Sequence, residues 1–107
     1  MNKTALPFKI NARASYENEL AEIVDYLAEN ASFKVSLQLS EDIKSQLNII
    51  SMLPYMYPAY IHAPRFRKMP IRNWQYVVFY TVNKQKREIV LAHIYHTSRD
   101  IHSMMTQ

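Results

Sequence analysis

Cysteine and glycine are both missing from this chain of 107 residues, and each absence removes whole classes of function. Without cysteine there is no disulfide scaffold, no thiolate zinc site and no cysteine nucleophile. Without glycine there is no P-loop and no G-x-G-x-x-G phosphate cradle. The opening residues MNKTALPFKINARAS lack the apolar core of a signal peptide, and no run approaches the length of a membrane span. A cytoplasmic protein with no membrane association is expected. The composition that remains is 49% hydrophobic, 12% aromatic and 21% charged. That balance argues against disorder and against a coiled-coil rod, and suits one compact domain over residues 1–107.

Charge is placed unevenly. Residues 1–50 hold five Lys/Arg against seven Asp/Glu, a net of −2, whereas residues 51–107 hold eight against two, a net of +6. The C-terminal half therefore presents a positive field, suited to nucleic acid or to an acidic protein partner, unless it is simply a solvated face.

Hydrophobic periodicity divides the chain into a helical half and a strand half. Leu6 to Ala12 alternates weakly and reads as a short strand with Pro7 at its start. Ser15 is placed to cap a helix whose first turn holds Glu17 and Glu19, favourable at the positive end of the helix dipole. Tyr16, Leu20, Ile23, Val24 and Leu27 give that helix one apolar face, and Asn30 stops it. Ser32 is the natural cap of a second helix carrying Phe33, Leu37, Ile43, Leu47 and Ile50, so the two form an antiparallel hairpin. Pro54 and Pro58 end it and open an aromatic loop, MLPYMYPAY. Phe66 to Ile71, flanked by Pro64 and interrupted by Pro70, is at most an edge strand. Tyr76 to Val82 is a β-branched and aromatic run, hence a central strand, and Ile89 to His96 pairs with it across the polar turn Asn83 to Glu88. Ser98 is positioned to cap a last short helix with Asp100 near its start and Ile101, Met104 and Met105 on its apolar side. The expected fold is α+β: an N-terminal strand, a helical hairpin packed on an antiparallel sheet of about four strands, and a short C-terminal helix.

Candidate chemistry is sparse. No serine sits in an elbow motif, and no histidine has a visible carboxylate partner, so a nucleophile triad is unsupported. His93 and His96, three apart on a strand, point to opposite faces, and His62 and His102 have no spacing that implies a shared site. Neither a metal nor any other cofactor is expected. The segment from His62 to Arg72 is more suggestive, because Arg65, Arg67, Lys68 and Arg72 carry four cations with no acid, beside Phe66 and Trp74. Cations neutralise phosphates and aromatics stack on unpaired bases. His96 ends the last strand beside Tyr95 and just before Arg99, an accessible place for proton exchange.

The element order, the MLPYMYP loop, Arg67-Lys68, the strand QYVVFYTV and the ending IVLAHIYHTSRDI together resemble the RelE/ParE superfamily of type II toxins. The strand resembles the family's y-v-v-f-Y-r-v pattern, and the ending its h-x-x-R-D. The resemblance implies a toxin that arrests growth and is masked in a hetero-oligomer by a cognate antitoxin, here expected to lie as an extended acidic segment across the basic half. RelE-like members cleave messenger RNA in the ribosome, and ParE-like members poison DNA gyrase without being nucleases. For cleavage, the residues carried over are His96 as acid or base, Arg67 and Lys68 on phosphate, and Arg99 as added charge. Arg65, Arg72 and Tyr95 complete the expected target-binding set. Many ribonucleolytic relatives carry an arginine three residues before the central-strand tyrosine, where this sequence has Val77 before Tyr80. That departure sets the chain closer to the ParE side, with the ribosome-dependent ribonuclease as the alternative and a non-toxic, antitoxin-binding member as a third class.

Overall fold

The computed structural model describes residues 6–106. Its elements are β1 (Lys9–Ala12), α1 (Ala14–Asn30), α2 (Phe33–Met52), β2 (Ala59–Tyr60), β3 (Ala63–Pro70), β4 (Tyr76–Asn83), β5 (Glu88–His96) and α3 (Ile101–Met105). The strands form one sheet in the order β1-β5-β4-β3-β2. The expected α+β architecture is present, with five strands rather than about four. β1 runs parallel to β5, Lys9 opposite Glu88 and Ala12 opposite Leu91, so the sheet is mixed. The parallel pairing follows from the crossover: the hairpin returns the chain over one face, and β2 to β5 are then laid down antiparallel.

β4 and β5 form the centre of the sheet. Val77, Val78, Phe79 and Tyr80 are all fully enclosed, as expected of a strand covered on both faces. The turn between β4 and β5 has no glycine to call on. Arg87 takes the left-handed conformation (φ 51°) instead, and Asn73 does the same (φ 71°) in the β3–β4 connection. Asparagine tolerates that region through its short polar side chain. Arg87 is held there by uses of its own: its carbonyl accepts from Lys9 N at 2.9 Å, and its guanidinium lies 4.5 Å from the Phe8 ring centroid.

The hairpin packs on one sheet face around Leu39, Ile43 and Ile50 from α2, Tyr16 from α1, and Met69, Val78, Tyr80, Leu91 and Ile94 from the sheet. On the opposite face Ile101, Met104 and Met105 of α3 cover Tyr60, Phe66, Val77, Phe79, Ala92 and Tyr95. A bulge assigns β5 to these two faces. Phe79 pairs with His93 but Tyr80 with Leu91, so Ala92 is the extra residue. Leu91 and Ile94, three apart, thereby both reach the hairpin core, and the alternation is shifted for everything after them.

Several local expectations are corrected. Ser15 does not cap α1; the N-cap position is Arg13, without a side-chain bond, and Ser15 Oγ donates to Ala92 O at 2.7 Å. Ser32 does cap α2, accepting from Val35 N at 3.1 Å. The inward stripe of α2 is Ser36, Leu39, Ile43, Gln46 and Ile50, while Phe33 and Leu37 are 73% and 47% exposed. Gln46 is drawn in because it donates to Pro70 O at 3.0 Å and accepts from Arg72 N at 2.8 Å, pairing two backbone groups that leave the ladder at the end of β3. β3 begins earlier than expected and is not the edge; it lies between β4 and the two-residue β2, with Pro70 at its end, where no further ladder bond is required. The cap of α3 is Asp100, accepting from Ser103 N at 3.3 Å, and Ser98 serves His96 instead.

Two stability predictions follow from this packing. The Tyr16 hydroxyl is buried without a hydrogen-bond partner, so Tyr16→Phe should raise stability by about 1 kcal/mol, whereas Gln46→Leu should cost about 2 kcal/mol by orphaning the Arg72 N–H and Pro70 C=O. Denaturant melts of the two variants against wild type check both signs. Burial also pushes the phenols of Tyr16, Tyr80 and Tyr95 up to about 12, from an ordinary 10.0. The folded state therefore holds these protons more tightly than the unfolded state. Stability should be unaffected by these groups below pH 10 and fall between pH 10 and 12, as read by melts across that range.

Candidate functional site

The end of β5 is built by a change of partner along its outer edge. β1 pairs with β5 only as far as Leu91, whose carbonyl takes Arg13 N at 2.9 Å. Side chains of α1 then continue the ladder: Ser15 Oγ bonds Ala92 O, and Glu19 Oε1 accepts from Ile94 N at 3.1 Å. The Glu19 carboxylate also accepts from His93 Nδ1 at 3.1 Å. The carboxylate partner that the sequence did not reveal for a histidine is thus on α1, distant in the chain. His93 stacks on Tyr95, with ring centroids 5.0 Å apart. Tyr95 is buried, and its phenol is pushed up to about 12 by that burial and by the nearby Glu19 carboxylate.

His96 faces the hairpin side, with its ring edge-on to Tyr76 at 5.2 Å. Its Nδ1 receives the Ser98 backbone N–H at 3.0 Å and lies 2.8 Å from Ser98 Oγ. A backbone N–H can only donate, so Nδ1 carries the lone pair, and the neutral ring keeps its proton on Nε2. Arg99 stands beside it. Together they border a groove of about 660 Å³ against Glu22, Ile23 and Tyr26 of α1. The arrangement offers one N–H donor, one guanidinium, the Glu22 carboxylate and an apolar wall.

The cations of β3 are elsewhere. Arg67 Nη1 donates to Tyr57 O at 2.6 Å, and its guanidinium lies 4.8 Å from the Tyr55 ring centroid, so it ties the MLPYMYP loop to the sheet. Lys68 lies over Tyr60 at 5.6 Å and Arg65 over Phe66 at 4.7 Å. Arg72 is exposed beside Asp42, whose carboxyl is held below its usual range by bonds from Trp74 and Gln38. The register measures the separation. His96 pairs with Tyr76 and Arg67 with Tyr80, two strands apart. The offset is about 13 Å along β4 and about 10 Å across the sheet. Lys68, opposite Phe79, is on the other face. The structure therefore brings His96, Arg99 and the buried Tyr95 together at one end of β5, and sets Arg65, Arg67, Lys68 and Arg72 apart from them.

Among the described residues no three His, Asp or Glu side chains converge as a metal-holding group, and no helix is long and apolar enough to cross a membrane. The single basic side chain among them within ion-pair distance of a carboxylate is His93, beside Glu19, so none of their lysines or arginines is matched by a carboxylate at that distance. Sequence reasoning missed Glu19, which looked like first-turn decoration. It also missed the contact between His62 and His102, for which linear spacing carried no signal.

Residues 10–101 match the family model described as ParE toxin of type II toxin-antitoxin system, parDE. The chain belongs to the ParE toxin family. A chain of the chromosomal ParDE system from P. aeruginosa is 16% identical, with a TM-score of 0.71 over 83% of this chain and 95% of that one. A chain of the RelBE2 toxin-antitoxin complex from Mycobacterium tuberculosis is 10% identical, with a TM-score of 0.61 over 92% and 100%. The isolated E. coli RelE toxin is 15% identical, with a TM-score of 0.60 over 92% and 95%. At these identities the likeness is one of fold. No curated protein matches the chain in sequence.

The histidine geometry is open to direct measurement. Long-range nitrogen–proton NMR of the neutral rings should find His96 protonated on Nε2 and His93 protonated on Nδ1, toward Glu19. The opposite tautomer at His96 would mean that the Ser98 turn does not form in solution.

Proposed function

We propose that this chain is the toxin of a type II module, that it arrests growth by poisoning DNA gyrase, and that a cognate antitoxin masks it. Membership of the ParE family and the fold shared with chains of toxin-antitoxin systems support the toxin and antitoxin parts of this reading. The observation that carries the choice of target is the separation of His96 from Arg67 and Lys68. Cleavage of RNA through its 2′-hydroxyl needs a base, an acid and cations gathered over one phosphate. Here His96 has one cation beside it, Arg99. Its Nδ1 is occupied by the Ser98 N–H, and Arg67 is engaged by the carbonyl of Tyr57.

Position 77 argues in the same direction. Val77 is fully buried beneath α3, among Phe79, Tyr95, Ile101 and Met104. An arginine in that place would have to displace the helix or bury an unpaired charge, so the site where ribonucleolytic relatives hold a cation is apolar core in this chain. Loss of one such electrostatic group commonly costs about two to three orders of magnitude in rate.

The test pairs two assays on wild type and His96→Ala. Gyrase supercoiling should be inhibited with DNA breaks trapped, by the wild type and by the variant alike, and translating ribosomes should show no codon-dependent messenger cleavage. Efficient cleavage by wild type that His96→Ala abolishes would assign the ribonuclease instead, with His96 as its acid or base.

A further inference from the structure

The sheet face opposite the helical hairpin carries a second group of charged and aromatic side chains, for which the proposed target reading has no use. His62, just after β2, and His102, from α3, lie ring on ring, centroids 4.1 Å apart and planes within 16° of parallel. Both are exposed. His62 meets Tyr60 edge to face at 5.4 Å, and Lys68 Nζ lies 5.6 Å from the same Tyr60 ring, so imidazole and ammonium share one aromatic support. Tyr60 is itself fixed against Phe79 in the core, at 5.1 Å. No carboxylate is at ion-pair distance from any of these groups among the described residues.

We propose that His62, His102 and Lys68 form a binding site for the phosphodiester backbone of a nucleic acid. The donors decide between the two anions a basic surface can take. A planar carboxylate is best matched by a guanidinium fork, whereas a tetrahedral phosphate accepts equally well from point donors arriving at different angles. Imidazole and ammonium groups are point donors. The stacked rings add an exposed π-face on which an unpaired base can lie, which a carboxylate-bearing peptide would leave unused.

Binding is coupled to protonation, because imidazoles change charge between pH 5 and 8. The charged and titratable groups around the pair are Lys68 and Tyr60 from the sheet and Asp100 at the start of α3. The Asp100 carboxylate accepts from Ser103 N at 3.3 Å. A phosphate arriving against the pair favours the charged ring, so affinity rises on acidification. This inference stands on the geometry of the α3 face and is independent of the gyrase reading.

The test is fluorescence anisotropy of a labelled oligothymidine with the full chain, at pH 6 and pH 8. Wild type should bind about tenfold more tightly at pH 6, and His62→Gln/His102→Gln should abolish that difference. Lys68→Gln should lower the slope of log affinity against log salt by about 0.7, the value for one phosphate contact on a single strand. The charge control Lys84→Gln/Lys86→Gln, on the β4–β5 turn, should weaken binding while keeping the pH dependence. His62, His102, Lys84 and Lys86 are exposed and Lys68 is half-buried, and unchanged thermal melts confirm that the variants fold. As a second readout, inorganic phosphate should shift the imidazole carbon-bound proton signals of His62 and His102 and leave those of His93 unmoved. The proposal is overturned if wild type does not bind the oligonucleotide, or if the double histidine variant keeps the pH dependence. It is equally overturned if polyglutamate at matched charge competes as well as the oligonucleotide, which would make the face a surface for acidic protein.

Discussion

The outer edge of β5 is the seam on which the molecule depends. A strand edge left open exposes a row of unpaired N–H and C=O groups, and here the row is closed by three kinds of partner in succession. The backbone of β1 takes the first part, the backbone of Arg13 the next, and the side chains of Ser15 and Glu19 the last. Because the final partners belong to α1, the same bonds that finish the sheet also dock the helical hairpin. Glu19 holds both the Ile94 amide and the His93 ring, so it also orients the strand end from which Tyr95, His96 and Arg99 project. A fold with no disulfide and no metal-holding cluster among the described residues thus gains its local rigidity from one partly buried carboxylate with several donors, an arrangement stronger than an exposed surface pair.

The cations do different work in different places. Arg67 and Arg87 act through geometry: each guanidinium lies over an aromatic ring and donates to main-chain carbonyls, which pins a loop and the N-terminal strand respectively. Both are structural uses of the planar guanidinium that a lysine would serve poorly. Arg65, Arg72, Lys84, Lys86 and Arg99 are exposed, and Lys68 is half-buried. All of these cations keep their charge, and the positive field of the C-terminal half is spread over two faces and two ends of the sheet. Charge counted along the chain predicts a field and leaves its focus undefined.

The helices and central strands were legible because their signals are local. Amphipathic spacing, the Ser32 cap, Pro54 and the β-branched run Tyr76 to Val82 each act over a few residues, and the structure contains the elements they imply. Errors fell where a distant partner overrode the local preference. Ser15 left its capping role to bond a strand carbonyl, and Gln46 turned inward to pair the peptide groups beside Pro70. Phe33 and Leu37, apolar by composition, stayed outside because they stand on the side of α2 turned away from the buried stripe of Ser36, Leu39, Ile43, Gln46 and Ile50. The parallel alignment of β1 was invisible for the same reason: a four-residue strand carries no information on direction until its neighbour is in place.

The candidate site divides along the same line. The sequence alone determined that His96 ends a strand beside Tyr95 and Arg99, and that cations cluster between Arg65 and Arg72, since those are facts of adjacency in the chain. Only the tertiary structure decided which of them meet. The bulge at Ala92 shifts the strand's alternation by one, turning His96 toward the hairpin and His93 toward the α3 face. The β3–β4–β5 register then holds Arg67 two strands away from His96, and the docking of α3 lays His102 on His62. Pairing and packing act between residues far apart in sequence, and a one-residue change of register reverses the face on which a side chain stands.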